Sequence, residues 1–176
     1  MPDIEHALNI LGVVRRQDDL LLLLKKFGTA DDNLRFVNFQ DMFLPKVEEY
    51  AKLLNAREKS YFTPEYRMEV FSKTTMDSFK STLKIHFEVL RAADGLRHRI
   101  NEKQDFTLRN AFKSVDRNRK GYIGIEEFQS ILNEHGIVAS DKDLLILMDR
   151  YDKDKDGRVS YSEFVQEMTP HSPTKP

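Results

Sequence analysis

An all-α fold is expected for this 176-residue chain, and three features of the sequence point to it. Residues Asp152–Glu163 read DKDKDGRVSYSE, an acidic loop between two apolar stretches of helical spacing. Residues 8–43 repeat the pattern of residues 132–164. Between the two copies, Phe71, Phe79, Leu83, Phe87 and Leu90 recur mostly every four residues, which marks one face of a long helix.

The acidic loop is arranged around oxygen. Asp152, Asp154, Asp156, Ser160 and Glu163 fall at positions 1, 3, 5, 9 and 12. Gly157 at position 6 allows a sharp turn, and Arg158 at position 7 offers its backbone carbonyl. A hard divalent cation takes six to eight oxygens, which this pattern supplies, with Ser160 acting through a water and Glu163 closing the sphere with two oxygens. The spacing is that of a calcium loop, one Ca2+ site. Leu144, Leu147, Met148 and Tyr151 form the apolar face of an entering helix, and Phe164, Val165 and Met168 that of an exiting one. Val159, at position 8, is a β-branched residue suited to bridging a partner loop. Lys153, Lys155 and Arg158 crowd the site and are expected to weaken it.

The partner loop lies upstream, where Asp116–Glu127 reads DRNRKGYIGIEE. Asp116, Asn118, Gly121, Tyr122, Ile123 and Glu127 keep positions 1, 3, 6, 7, 8 and 12. Position 5, however, is Lys120, and position 9 is Gly124. Two side-chain oxygens are lost and a positive charge is added. This loop is therefore expected to be empty of calcium and to serve as a structural mate. Its entering helix, expected from Asp105, carries Phe106, Leu108, Ala111, Phe112 and Val115; the exiting helix carries Phe128, Ile131 and Leu132.

On these residues the segment 105–168 resembles an EF-hand pair of the calmodulin superfamily, over a little more than a third of the chain. The resemblance implies an all-helical lobe, two loops joined by a short two-stranded bridge, and a groove able to hold a partner helix.

The repeat adds a third, degenerate hand. Leu132, Gly136, Ile137, Val138 and Asp143–Leu147 match Leu8, Gly12, Val13, Val14 and Asp19–Leu23, an offset of 124 positions, and Tyr151 falls on Phe27. Two residues of slippage then pair Val159, Tyr161, Glu163 and Phe164 with Val37, Phe39, Asp41 and Phe43. Gly28–Asp41 thus takes the place of a calcium loop, lengthened to fourteen residues. It opens on glycine, and Asp31, Asp32 and Asn33 are off ligand spacing, so no calcium is expected there. Residues 4–12 correspond to an exiting helix. Its apolar face needs cover from elsewhere in the chain or from a partner, unless the chain is simply shorter than its ancestor.

The middle of the chain is expected to be helical over residues 45–60. A new helix should start at Thr63-Pro64-Glu65, a capping hydroxyl followed by a first-turn proline. Asp94-Gly95 is a candidate break, beyond which Leu96 and Ile100 continue the stripe. Arg91, Arg97, Arg99 and Lys103 read either as a solvated face or as a docking surface for an acidic protein partner such as tubulin. The tail TPHSPTKP is too rich in proline for a helix. Within it, Ser172-Pro173-Thr174-Lys175 resembles a proline-directed phosphorylation site. The expected organisation is a degenerate EF-hand-like segment over 1–45, a helical connector over 46–104, an EF-hand pair over 105–170 and a Pro-rich tail over 171–176.

A net charge of −1 gives no electrostatic case for nucleic acid or an anionic membrane as partner. The absence of cysteine excludes disulfides and fits a reducing, cytoplasmic setting. No signal peptide is visible, and the Leu20–Leu24 run is too short to span a bilayer. There is no cysteine nucleophile, no glycine-rich phosphate loop and no histidine pair at zinc spacing, so no enzyme is expected. The overall layout, FTPEYR, then LRHRINEKQDFTLRNAF, then a hand pair ending in EMTPHSP, resembles EF-hand proteins of protist ciliary and flagellar axonemes. That resemblance implies a fixed microtubule-associated subunit. Two readings follow: a structural adaptor of a cytoskeletal assembly, or a calcium sensor whose C-terminal lobe opens to a target helix. One intact loop among three, and only six methionines, favour the adaptor.

Overall fold

The fold is all-α with one minimal sheet. It was analysed in a computed structural model that describes residues 2–29, 31–45, 47–56 and 71–173. Helices α1 (Pro2–Ile10), α2 (Asp19–Phe27), α3 (Phe36–Phe43) and α4 (Glu48–Asn55) come first, followed by the long α5 (Lys73–Asn101). Then come α6 (Leu108–Val115), β1 (Tyr122–Ile123), α7 (Ile125–Glu134), α8 (Asp141–Tyr151), β2 (Val159–Ser160) and α9 (Tyr161–Met168). The expected helix start at Thr63-Pro64-Glu65 lies outside the described residues. The chain divides into two compact units, residues 1–94 with 171–176, and residues 95–170.

In the 95–170 unit α6, α8 and α9 start where a hydroxyl side chain caps them. The Thr107 hydroxyl accepts the Asn110 amide at 3.2 Å, so α6 begins at Leu108, later than the expected Asp105. Ser140 and Asp143 form a reciprocal capping box at α8. The two loops meet in an antiparallel bridge that pairs Tyr122 with Ser160 and Ile123 with Val159. Ile123 and Val159 are fully buried among Phe112, Phe128, Leu144, Met148 and Phe164. The Phe112 ring meets those of Tyr161 and Phe164 edge-on at 5.3 and 5.5 Å.

In the other unit the sequence repeat reappears as a repeat of hydrogen bonds. Gly12 N–H donates to the Asn9 carbonyl and Val13 N–H to that of Leu8; Gly136 and Ile137 donate to Asn133 and Leu132 in the same way. Both glycines are left-handed, at φ +66° and +72°, as a helix-ending residue of this type requires. The following helices are capped alike, Asp19 accepting the Arg16 amide and Asp143 that of Ser140. The chain itself covers the apolar face of α1 at Leu8, while Ile4, Ala7 and Leu11 line an apolar cleft with Leu34, Phe36 and Phe79. Leu83, Phe87 and Leu90 of α5 join Leu8, Leu20, Leu23 and Met42 in one core, with Phe87 almost wholly buried.

The repeat fails in its loop. Helix α3 starts at Phe36, three residues before Phe39, the counterpart of the first residue of α9. Val37 is therefore helical and 66% exposed, whereas Val159 is a buried strand residue. Met42 occupies the buried place expected for Phe43. At Gly28 a Cβ would lie 2.4 Å from the Leu24 carbonyl oxygen, so no first-position aspartate fits this backbone. Asp32 is turned to Lys25 at 3.3 Å, and the loop closes on itself through Thr29 and Asn33.

Two further expectations about the connector are corrected. Asp94-Gly95 is no break, since α5 runs through it. The apolar stripe does not continue at Leu96, which is 58% exposed, while Asp94 and Arg97 are buried. The expected basic face is partly consumed within each unit. Arg91 pairs with Asp19 at 2.7 Å, and Arg97 with Glu167 at 2.5 Å.

Candidate metal centre

The loop from Asp152 to Glu163 draws its acids inward through its own backbone. Asp152, buried at the end of α8, accepts the Asp156 and Gly157 amides on its two oxygens at 3.2 and 2.8 Å. Asp154 also accepts from Asp156, and Asp156 from the Arg158 amide at 2.8 Å. The turn needs left-handed residues at positions 4 and 6, Lys155 at φ +64° and Gly157 at φ +81°. Glu163 reaches back from the first turn of α9. One oxygen accepts the Lys153 amide at 2.7 Å; the other accepts the amide and hydroxyl of Ser160 at 2.8 and 2.7 Å.

The outcome is a cage of oxygens. One oxygen from each of Asp152, Asp154 and Asp156 lies within 4.8 Å of the others, the group among the described residues that could hold a metal ion. The electrostatics fit a cation. The hydrogen bond from the Asp156 amide would lower the Asp154 pKa, but desolvation and the charges of Asp156, Glu163 and Asp152 outweigh it and leave it raised. Burial pushes Glu163 upward, yet the Ser160 hydroxyl and the surrounding amides more than offset this and hold it low, so it stays ionised.

The basic residues expected to crowd the site face other partners. Lys153 pairs with Glu167 at 3.2 Å and also reaches the Arg150 carbonyl. Lys155 pairs with Asp149 at 2.6 Å. The Arg158 guanidinium lies 4.6 Å over the Tyr122 ring. Glu167 is the functional neighbour that sequence reading missed. It is almost fully buried and receives Arg97, Arg150 and Lys153. Burial alone would raise its pKa, but those three cations hold it at about 2. Its signal was present as a glutamate one helical turn after Glu163, on the apolar side of α9.

The loop from Asp116 to Glu127 has the same frame with different contents. Asp116 accepts the Lys120 and Gly121 amides, both at 2.8 Å, and positions 4 and 6 are again left-handed, at Arg119 and Gly121. Glu127 accepts the Gly124 amide at 2.9 Å. Its other oxygen takes the Lys120 ammonium at 2.6 Å. That contact lowers the Glu127 pKa and raises that of Lys120. The position-12 carboxylate thus already has a cation, a covalently tethered one. Asn118 is exposed, and Tyr122 is flanked by Lys120 and Arg158.

Comparison with known proteins agrees with this geometry. Residues 105–169 match the EF-hand domain pair. Calglandulin from Bothrops insularis and calglandulin from Pseudechis porphyriacus are each 37% identical over 78 residues, 44% of this chain. The chain spans about half the length of these curated relatives, 50% in each case. Among the described residues no helix is long and apolar enough to cross a membrane. Over residues 105–169 the two helix–loop–helix units and the bridge between their loops are similar to an EF-hand pair.

Proposed function

We propose that the chain is a non-catalytic EF-hand adaptor that binds one calcium ion, in the loop Asp152–Glu163. The observation that carries this reading is the contrast between the loops. One brings an oxygen from each of three aspartates within 4.8 Å of the others, and the other has closed its position-12 glutamate on a lysine. Asp152, Asp154, Asp156, the Arg158 carbonyl, Ser160 through water and Glu163 would hold the ion. Four acidic ligands correspond to a dissociation constant of roughly 10⁻⁷ to 10⁻⁵ M.

The adaptor role is supported by how little of the fold depends on a metal. The N-terminal hand closes its loop with hydrogen bonds and the middle hand with an ion pair. The axonemal setting and a tubulin-like partner rest on the layout resemblance. Titration calorimetry tests the site: one ion is expected for the wild type, and at least a tenfold loss of affinity for Glu163→Gln. A stoichiometry of two, or an unaffected variant, counts against it.

A further inference from the structure

The proline-rich tail is held by a group that the calcium chemistry does not use. Asp94 lies in the interior of α5 with no exposed surface. One carboxylate oxygen accepts the His171 amide at 2.7 Å; the other accepts the Ser172 amide at 3.2 Å and the Ser172 hydroxyl at 2.5 Å. Ser172 is itself 7% exposed. A buried carboxylate is tolerated only when its oxygens are satisfied, and the tail supplies donors from more than seventy residues away.

Ser172 is followed by Pro173, Thr174 and Lys175, the proline-directed pattern. We propose that Ser172 is a phosphorylation site for a proline-directed kinase, and that the phosphate unlatches the tail from Asp94. The γ-phosphoryl group of ATP passes to the Ser172 oxygen. A new O–P bond forms, the bond between the γ-phosphorus and the β–γ bridging oxygen breaks, ADP leaves, and the hydroxyl proton goes to the kinase's base. The modified oxygen then has no proton to donate. The phosphate brings a charge of about −1.5 to −2 beside a buried carboxylate. Like charges in a desolvated site repel, so the closed arrangement is lost. In the closed latch the hydroxyl is hidden, so the kinase acts on the open tail, and the phosphate blocks its return. A segment without helix or strand, tied down by a few hydrogen bonds, opens locally at low free energy, which makes the open form available.

The test uses the full chain with ATP and a recombinant proline-directed kinase, alongside Asp94→Asn and Ser172→Ala. Mass spectrometry is expected to find phosphate on Ser172 of the wild type and none at this position in Ser172→Ala. The rate should rise about tenfold in Asp94→Asn, where the charged acceptor is gone. In the phosphorylated wild type, amide exchange by NMR should be at least about tenfold faster at residues 171 and 172. No incorporation at Ser172, equal rates in wild type and Asp94→Asn, or amides still protected after phosphorylation would each overturn the proposal. Should Asp94→Asn lose its helix by circular dichroism, the exchange measurement on the wild type decides alone.

Discussion

Replacing Glu167 with glutamine removes one negative charge from beneath the calcium loop while keeping the side chain's shape. Its carboxyl is held at about 2 against an ordinary 4.5. At about 1.4 kcal/mol per pH unit, this corresponds to roughly 3 kcal/mol of stability. The sign is that of a depressed acid. The stabilisation is fully present above pH 4.5 and is lost as the pH falls toward 2. A second route gives the same size. Arg97, 8% exposed, would be left as a buried cation without its partner, and breaking such a pair costs about 3–5 kcal/mol. Urea unfolding in chelator, followed by circular dichroism, measures the difference between wild type and Glu167→Gln without interference from metal. About 3 kcal/mol is expected at pH 7, shrinking toward zero near pH 2. The variant should also bind calcium a few-fold more weakly, because Lys153 is released toward the loop. A difference below about 1 kcal/mol at pH 7, or one that persists unchanged to pH 2, refutes the assignment of Glu167 as the charge that organises this lobe.

Lys120→Asp combined with Gly124→Asp should create a second calcium site, since Gly124 has an extended backbone, φ −102° and ψ 180°, open to any residue, and its Cβ, 3.1 Å from a Glu127 oxygen, needs only the end of that side chain to shift; a titration that still counts one ion shows that the backbone of that loop is at fault. Phe87→Ala should destabilise the N-terminal unit by about 3–5 kcal/mol, as expected for emptying a buried aromatic site, with the calcium affinity unchanged; thermal unfolding together with calorimetry checks both parts. Chelator washes at constant ionic strength should leave the chain on its native assembly, whereas release by chelator that added calcium reverses would make the loop a switch.

The intact loop was legible because its chemistry is local. The spacing of the acids and the turning glycine can be read from twelve consecutive residues, and the amide bonds that organise Asp152 and Glu163 run within that stretch. The repeat was legible for the same reason, through helix-ending glycines and capping acids that act over three or four residues. Contacts between distant residues were not. Asp94-Gly95 reads as a break until the tail delivers its donors, and Arg97 reads as a solvated base until Glu167 is placed against it. The start of α3 was missed because Asn38 caps the Arg35 amide, three residues ahead of the position that the repeat dictates.

The EF-hand pair and the N-terminal repeat of its pattern set out one backbone problem with three answers. An EF loop curls acids and carbonyls toward its centre, and something must compensate that inward charge. Around Asp152 the acids are complete, and on the proposed reading a metal ion compensates them. Around Asp116 the loop has a lysine at position 5, whose ammonium reaches the position-12 glutamate and offsets its charge. After α2 the first acid is a glycine, and the turn closes on the Asn33 carbonyl and an exposed pair between Lys25 and Asp32. The middle loop bears most directly on function, because its Ile123 pairs with Val159 of the calcium loop. A tethered ammonium holds one side of that bridge at any calcium concentration. On the proposed reading, an ion at Asp152 binds beside a strand already in place, and less of its binding free energy goes into changing the shape of the lobe. That division suits a subunit that keeps its conformation, and it is a poor design for a lobe that must open on a calcium signal.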